Sequence, residues 1–128
     1  MTKTAVTSSN LPTPAGAYSH VVEMNGIVFT AGFGPQDPAT GEVSEGVGAQ
    51  TGQVITNVEN ALAEVGLGLA DVVKATVHLQ HLHRDAAEFN AVYRDRFPEP
   101  YPVRTTVGSD LANILVEIDV VAVRPQQS

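Results

Sequence analysis

The chain of 128 residues has the length of one domain and is too short for two. Hydrophobic residues make up 43% of it and charged residues 16%, which is typical of a folded domain with a buried core rather than a disordered chain. The formal net charge of −7 argues against nucleic acid and anionic membranes as partners, because both repel an acidic surface. The absence of cysteine excludes disulfides, thiolate metal sites and cysteine nucleophiles.

No apolar run approaches the roughly 20 residues needed to cross a bilayer, so no membrane partner is expected. The segment Met1–Asn10 lacks the apolar stretch of a secretory signal. No repeat or linker-like change of composition divides the chain. The sequence therefore predicts a cytoplasmic protein with one domain over residues 1–128.

The first predicted element is a β-hairpin. Two apolar segments, residues 20–24 and 27–30, flank Asn25-Gly26, the strongest two-residue signal for a type I′ turn. Glycine and proline then crowd into residues 32–41. This stretch predicts a long, shaped loop of the kind that often carries function.

Two amphipathic helices are predicted next. The first runs from about residue 47 to 65, where apolar side chains recur at helical spacing, and Gly66 is its expected C-terminal cap. The second begins at Asp85, whose carboxylate is expected to cap the first turn together with Glu88. Pro98 ends this second helix.

The remaining segments predict strands. Residues 73–79 and about 114–123 alternate in hydropathy, and a proline-rich segment leads into a strand near Val103. The order is β-β-helix-β-helix-β-β, and a short extra strand near Thr4–Thr7 would add a sixth. This is an α+β fold whose two helices cover one face of a five- or six-stranded sheet. Both sides of the last strand are rich in Val, Ile and Leu. This pattern predicts burial of the opposite face as well, most simply by self-association.

Two charged residues near the C-terminus are the strongest candidates for a functional role. Arg104 follows a proline-rich segment that stiffens the chain before it. An arginine fork binds a carboxylate through two hydrogen bonds, and an ion pair with a local Asp or Glu is the alternative. Glu117 interrupts an apolar run, which is unusual unless the carboxylate is paired or functional; a rim position satisfied by solvent or lysine is the alternative. Tyr18 and Asn90 could line a pocket, although packing also accounts for them.

Three histidines lie close together in the sequence: His78, His81 and His83. The last two would share a face if the strand continued that far, yet no carboxylate at ligand spacing accompanies them. We therefore expect a solvated strand end rather than a metal site. No phosphate-binding glycine pattern and no nucleophile-elbow serine is present, so neither a nucleotide site nor a serine triad is predicted.

A series of short motifs runs along nearly the whole chain in a fixed order and spacing. The motifs are Gly16-Ala17-Tyr18-Ser19, Thr30-Ala31-Gly32, Asp37-Pro38-x-Thr40-Gly41-Glu42, Gln50 to Asn57, Asp71-Val72-Val73-Lys74-x-Thr76-Val77, Phe89-Asn90-x-x-Tyr93, Pro102-x-Arg104 and Val116-Glu117-Ile118-x-x-Val121-Ala122-Val123. Each motif alone is unspecific. Together they resemble the Rid family, also called RidA/YjgF, of reactive enamine and imine deaminases.

The resemblance implies a six-stranded mixed sheet with two helices on one face, a chorismate-mutase-like fold, assembled as a homotrimer with active sites between subunits. It implies hydrolytic deamination of 2-imino or enamine acids to 2-oxo acids and ammonia, without a metal or organic cofactor. Arg104 would hold the substrate carboxylate, and Glu117 would help to order the attacking water. Tyr18, Gly32 and Asn90 would line the cleft.

The chain also departs from the family pattern. Ala31 stands where serine is common, Phe33 where glutamine is common and Thr106 where cysteine is frequent, while the loop at residues 108–113 is shorter. Phe33 and Thr106 are therefore expected to line a reshaped pocket. Two further functions stay open: a non-catalytic module that binds a small carboxylate or a partner protein, and a pathway-specific paralogue that acts on a different imine. Endoribonuclease activity, attached to parts of the family, is disfavoured by the acidic charge.

Overall fold

The computed structural model describes residues 2–126, so residues 1, 127 and 128 of the predicted domain lie outside it. The elements are β1 (Thr4–Val6), β2 (Val21–Met24), β3 (Ile27–Thr30), α1 (Val47–Ala63), a 3₁₀ turn (Leu69–Asp71), β4 (Val72–Leu79), α2 (Leu82–Arg96), β5 (Val103–Gly108) and β6 (Val116–Val123). The six strands form one sheet in the order β1-β2-β3-β6-β4-β5, in which β4 and β5 pair in parallel and the other neighbours are antiparallel. The predicted mixed α+β sheet is confirmed. Within residues 2–126, no helix has the length and apolar character needed to span a membrane.

The predicted hairpin is confirmed in detail. Asn25 has φ 56° and Gly26 has φ 77°, both in the left-handed region that a type I′ turn requires. The turn sets the pairing of β2 with β3, in which Met24 lies opposite Ile27.

Helix α1 follows its sequence pattern and ends two residues before the predicted limit. Val58 and Leu62 are fully buried in the core. Gly66 has φ 77°, and the N–H of Leu67 donates to the carbonyl of Leu62 at 2.9 Å, so the predicted glycine cap is confirmed.

The predicted start of α2 is wrong. The helix begins at Leu82, and the carboxylate of Asp85 is bonded to the guanidinium of Arg84 at 2.8 and 3.0 Å. Glu88 accepts a hydrogen bond from the backbone N–H of Gly48 in the first turn of α1, at 2.9 Å. The expected capping pair fails because Glu88 satisfies an unbonded N–H of the neighbouring helix instead of one in its own.

The start of β6 also differs from the prediction. The N–H of Leu115 donates to Oε1 of the buried Gln50 on α1, at 2.8 Å. Because this N–H bonds a side chain rather than a strand, β6 begins at Val116 instead of near Ile114.

The two faces of the sheet have different surroundings. Alternate residues such as Val77 and Ile118 are fully buried in the core shared with α1 and α2. On the other face, which we call the open face, Phe29 is 47%, Val73 46% and Val123 42% exposed. The sequence predicts burial on both faces, but one chain leaves an apolar face partly uncovered.

Candidate active site

Two concave surfaces hold most of the residues that the sequence singles out. The larger, about 560 Å³, lies near the ends of β3 and β6, and the smaller, about 260 Å³, lies between α2 and β5. Tyr18, Gly32, Phe33 and Glu117 are among the residues lining the larger one, which we call the glutamate cleft. The smaller, the arginine cleft, is lined by Asn90, Tyr93, Arg94, Tyr101, Pro102 and Arg104.

The carboxylate of Glu117 lies directly against Gly32. A Cβ atom at position 32 would lie 2.7 Å from Oε2 and 2.9 Å from Cδ of Glu117, well inside ordinary van der Waals contact. The glycine therefore leaves the space that the carboxylate occupies. Glu117 is half-buried, and its carboxylate accepts no hydrogen bond from residues 2–126. Its oxygens are available to water or a ligand.

Helix α1 holds one wall of the glutamate cleft. The fully buried Asn57 donates from Nδ2 to the carbonyls of Gly34 and Gln36, at 3.0 Å each. In the same loop, Oδ1 of Asp37 accepts a hydrogen bond from the N–H of Ala39 at 2.8 Å. Because these polar groups are satisfied, the loop has a defined shape at the cleft.

Two aromatic residues predicted to line the site contribute in different ways. Phe33 is buried and stacks on the ring of His20, with centroids 5.7 Å apart, so it forms part of the inner wall. Tyr18 is exposed, and its hydroxyl accepts a hydrogen bond from the N–H of Ala15 at 2.9 Å. Its ring lies at the open side of the cleft.

The guanidinium of Arg104 is held by α2. Nη2 donates to Oδ1 of Asn90 at 2.7 Å, and the guanidinium carbon lies 4.6 Å from the ring centroid of Tyr93 and 5.4 Å from that of Phe89. No carboxylate of residues 2–126 forms an ion pair with Arg104. The alternative of a local ion pair is therefore not realised in the described chain, and the other N–H groups of the fork can bind an anion.

Tyr93 gives Arg104 a fixed aromatic face, a role that the sequence reasoning missed. Its ring stacks on Phe97 with centroids 4.3 Å apart, and its buried hydroxyl has no hydrogen-bond partner in residues 2–126. Burial raises the pKa of Tyr93, against the opposing effect of the Arg104 charge, so the phenol stays neutral. The available signal was the spacing of Asn90 and Tyr93 on the helix preceding β5, since residues three apart share a helix face.

Arg104 and Glu117 do not converge within one chain. Arg104 lies opposite Ala75, whose side chain faces the helices, whereas Glu117 lies opposite His78 on the open face. Strand β4 separates the two strands that carry them. Thr106 shares the face of Arg104 but lines neither cleft, so the structure does not bring it into the site predicted for it.

The three histidines are separated by the end of β4. His78 lies on β4 with Nδ1 2.7 Å from Oγ of Ser109, His81 follows the strand and His83 lies in α2. The strand face that His81 and His83 would have shared does not form, because the strand ends at Leu79. Across residues 2–126, no three His, Asp or Glu side chains are grouped as metal ligands would be.

Asp119 is a partly buried acid on the open face, opposite Thr76. Burial raises the pKa of Asp119, because it disfavours the charged form, while electrostatic interactions with His78 and Lys74 oppose the shift. The open face therefore contains a partly buried acidic side chain among its apolar ones.

The fold and the two clefts define a small α+β protein with one cleft lined by Glu117 and another lined by Arg104. The family model described as Endoribonuclease L-PSP matches residues 8–124, and the chain belongs to this family, also called YjgF/RidA. The 2-iminobutanoate/2-iminopropanoate deaminase of Salmonella typhimurium is 37% identical over 129 residues, covering 97% of this chain and 99% of that protein. Other curated relatives are named only as RutC family proteins.

Solved structures agree with this assignment. The YjgF gene product of E. coli has a TM-score of 0.89 at 34% identity, covering 95% of this chain and 99% of that one. E. coli TdcF with bound serine also has a TM-score of 0.89, at 31% identity, with coverage of 95% and 99%. The predicted family is confirmed, and it includes proteins named as imine deaminases.

Proposed function

We propose that this protein hydrolyses 2-imino acids and their enamine tautomers to 2-oxo acids and ammonia. The observation that carries the proposal is the guanidinium of Arg104, fixed by Asn90 and Tyr93 and without a carboxylate partner in residues 2–126. Such a fork binds a substrate carboxylate. The name of the Salmonella relative and the serine bound to TdcF support a small amino-acid-like substrate.

The reaction depends mainly on how the substrate and the attacking water are positioned. A protonated imine is electrophilic at its carbon, so the protein must fix the carboxylate and present a water molecule at about 3–3.5 Å. Glu117 accepts a proton as the water oxygen bonds to that carbon, giving a carbinolamine. Return of the proton to nitrogen makes ammonia the leaving group. The C–N bond then breaks while the carbinol O–H proton passes back to Glu117 and the C=O bond of the 2-oxo acid forms.

We place the reaction between two chains, with the arginine cleft of one facing the glutamate cleft of another, in a homotrimer of the kind the family resemblance implies. The opposite sheet faces of Arg104 and Glu117 support this arrangement, since one chain does not bring them together. The apolar open face supports self-association, because exposed apolar patches on soluble proteins mark interaction sites.

The activity is tested by generating 2-iminobutanoate with an amino-acid oxidase in the presence of semicarbazide, which traps free imine. The wild type should divert the imine to 2-oxobutanoate. Arg104→Ala should lower kcat/KM by about 100-fold, the usual scale for losing a charged hydrogen-bonded contact. Arg104→Lys should recover little, because lysine lacks the fork. Activity in Arg104→Ala equal to the wild type would contradict the proposed carboxylate contact.

The two-chain site has its own test. Arg104→Ala and Glu117→Gln, each nearly inactive alone, are mixed, unfolded and refolded together. Each shared site needs one chain of each kind in a fixed order, so random assembly should restore about a quarter of the wild-type activity. Separately refolded variants, mixed afterwards without exchange, are the control. No recovery after co-refolding would place both residues in a site within one chain.

Two other functions are distinguished by further assays of the same purified protein. Binding of 2-oxobutanoate without any imine turnover would favour a non-catalytic carboxylate-binding module. Cleavage of RNA by the purified protein would favour the activity named in the description of the family model. The charge of −7 opposes RNA binding, because phosphate contacts dominate that affinity.

A further inference from the structure

The arginine cleft has a second basic residue in its lining. Arg94 lines the cleft together with Arg104, whereas no aspartate or glutamate does. Like Arg104, Arg94 forms no ion pair with a carboxylate of residues 2–126. In a chain with twice as many acidic as basic side chains, 14 against 7, two arginines without acidic partners at one concavity indicate an anion site.

We propose that the substrate is a dicarboxylic 2-imino acid, whose side-chain carboxylate is bound by Arg94. This inference rests on the proposed imine hydrolysis and deepens it by naming the substrate class. Arg94 would act as a specificity-determining residue, while Arg104 takes the carboxylate next to the imine carbon.

The placement of Arg94 on α2 favours this role. Asn90 and Arg94 are four residues apart, so they lie on the same face of the helix, one turn from each other. Asn90 contacts the guanidinium of Arg104 directly, at 2.7 Å. The hydroxyl of Tyr101, which also lines the cleft, lies 3.5 Å from the carbonyl oxygen of Arg94. Arg94 is therefore carried on the wall of the same concavity.

Charge balance distinguishes the substrate classes. In the assembled site, the carboxylate beside the imine carbon faces Arg104, and the protonated imine nitrogen faces Glu117. A monocarboxylic substrate leaves the positive charge of Arg94 without a counterpart. A second carboxylate on the substrate gives Arg94 a partner of opposite charge. A purely structural role is the competing account, because a basic residue in the last turn of a helix interacts favourably with the helix dipole.

The experiment compares imines made by amino-acid oxidases from glutamate and from 2-aminobutyrate. Stable 2-oxo acids are titrated in parallel, with 2-oxoglutarate as the diacid and 2-oxobutanoate as the monoacid. We expect the wild type to favour the diacid, and Arg94→Gln to reduce this preference about fivefold to tenfold, in kcat/KM and in binding. Arg94→Lys should restore part of it. Lys3→Gln, which removes the same charge from an exposed site outside the cleft, should keep it.

The outcomes separate this inference from the proposed function. Hydrolysis of both imines with no diacid preference, or a preference that Arg94→Gln does not change, overturns the second-carboxylate assignment and leaves imine hydrolysis intact. Binding of 2-oxoglutarate that depends on Arg94, without hydrolysis of either imine, supports the diacid site and overturns the proposed reaction.

Discussion

Replacing Gly32 with alanine tests whether the carboxylate of Glu117 takes part in the reaction. The added Cβ would lie 2.7 Å from Oε2 and 2.9 Å from Cδ of Glu117. Gly32 is not among the glycines with left-handed φ, so alanine fits the backbone conformation there. The atoms that must move belong to the end of a flexible side chain, which makes the change mild for the fold and severe for the position of the carboxylate.

The magnitude follows from the contact distance. Restoring ordinary contact of about 3.6 Å moves the carboxylate by about 1 Å. A shift of this size in a positioned catalytic group costs about 100-fold in rate, or about 2.7 kcal/mol of transition-state stabilisation. We therefore expect Gly32→Ala to lower kcat by about 100-fold while KM changes little, because Arg104 keeps its contacts. The free energy of unfolding should change by less than about 1 kcal/mol.

The assay is the semicarbazide competition, run as steady-state kinetics beside thermal denaturation. Gly68→Ala is the matched control, because a Cβ at position 68 has no atom within 4 Å and its φ is −140°. A double-mutant cycle with Glu117→Gln identifies the cause. If Gly32 acts through Glu117, adding Gly32→Ala to Glu117→Gln costs nothing more. A full 100-fold loss in that background, or unchanged activity in the single variant, would refute the reasoning.

Two further perturbations probe other parts of the molecule. Tyr93→Leu removes the aromatic face beneath Arg104 and should raise KM about fivefold. Tyr93→Phe keeps the ring but removes a buried hydroxyl that has no partner in residues 2–126, so it should raise Tm. Equal KM increases in both variants would contradict the stacking role. Burial raises the pKa of Asp119, so its ionisation destabilises the fold as pH rises above the unfolded value of about 3.9. Asp119→Asn should therefore raise Tm at pH 7, and the gain should disappear below about pH 3.9; a gain that persists in acid would contradict this origin.

Elements whose signals are local could be predicted from the sequence. The hairpin turn needs two residues that tolerate left-handed φ, and Asn25-Gly26 provides them next to each other. The end of α1 needs a glycine just beyond the last turn, and Gly66 is there. The start of α2 fails because Glu88 bonds an N–H in another helix, and sequence spacing does not show that competition.

The candidate site was also predictable from the sequence only in part. Glu117 is conspicuous because a carboxylate in an apolar run is unusual, and Arg104 because it lies in a polar strand start after a proline-rich segment and its fork can bind a carboxylate. Their opposite faces depend on strand register, which is set by the parallel pairing of β4 with β5 across α2. The physical need for glycine at position 32 also emerges only in three dimensions, where Glu117 lies against it.

The uncovered sheet face and the divided site have one explanation under the proposed mechanism. The register that buries Ala75 under α2 directs Arg104 toward the helices, and it leaves Glu117 on the face where Phe29 and Val123 remain exposed. A chain alone would then have neither a covered sheet nor a complete site. Under the proposed mechanism, self-association would supply both in one step, because the contact that covers the apolar face would also bring Arg104 of one chain to Glu117 of another. The proposed mechanism would therefore tie activity to assembly through the sheet register.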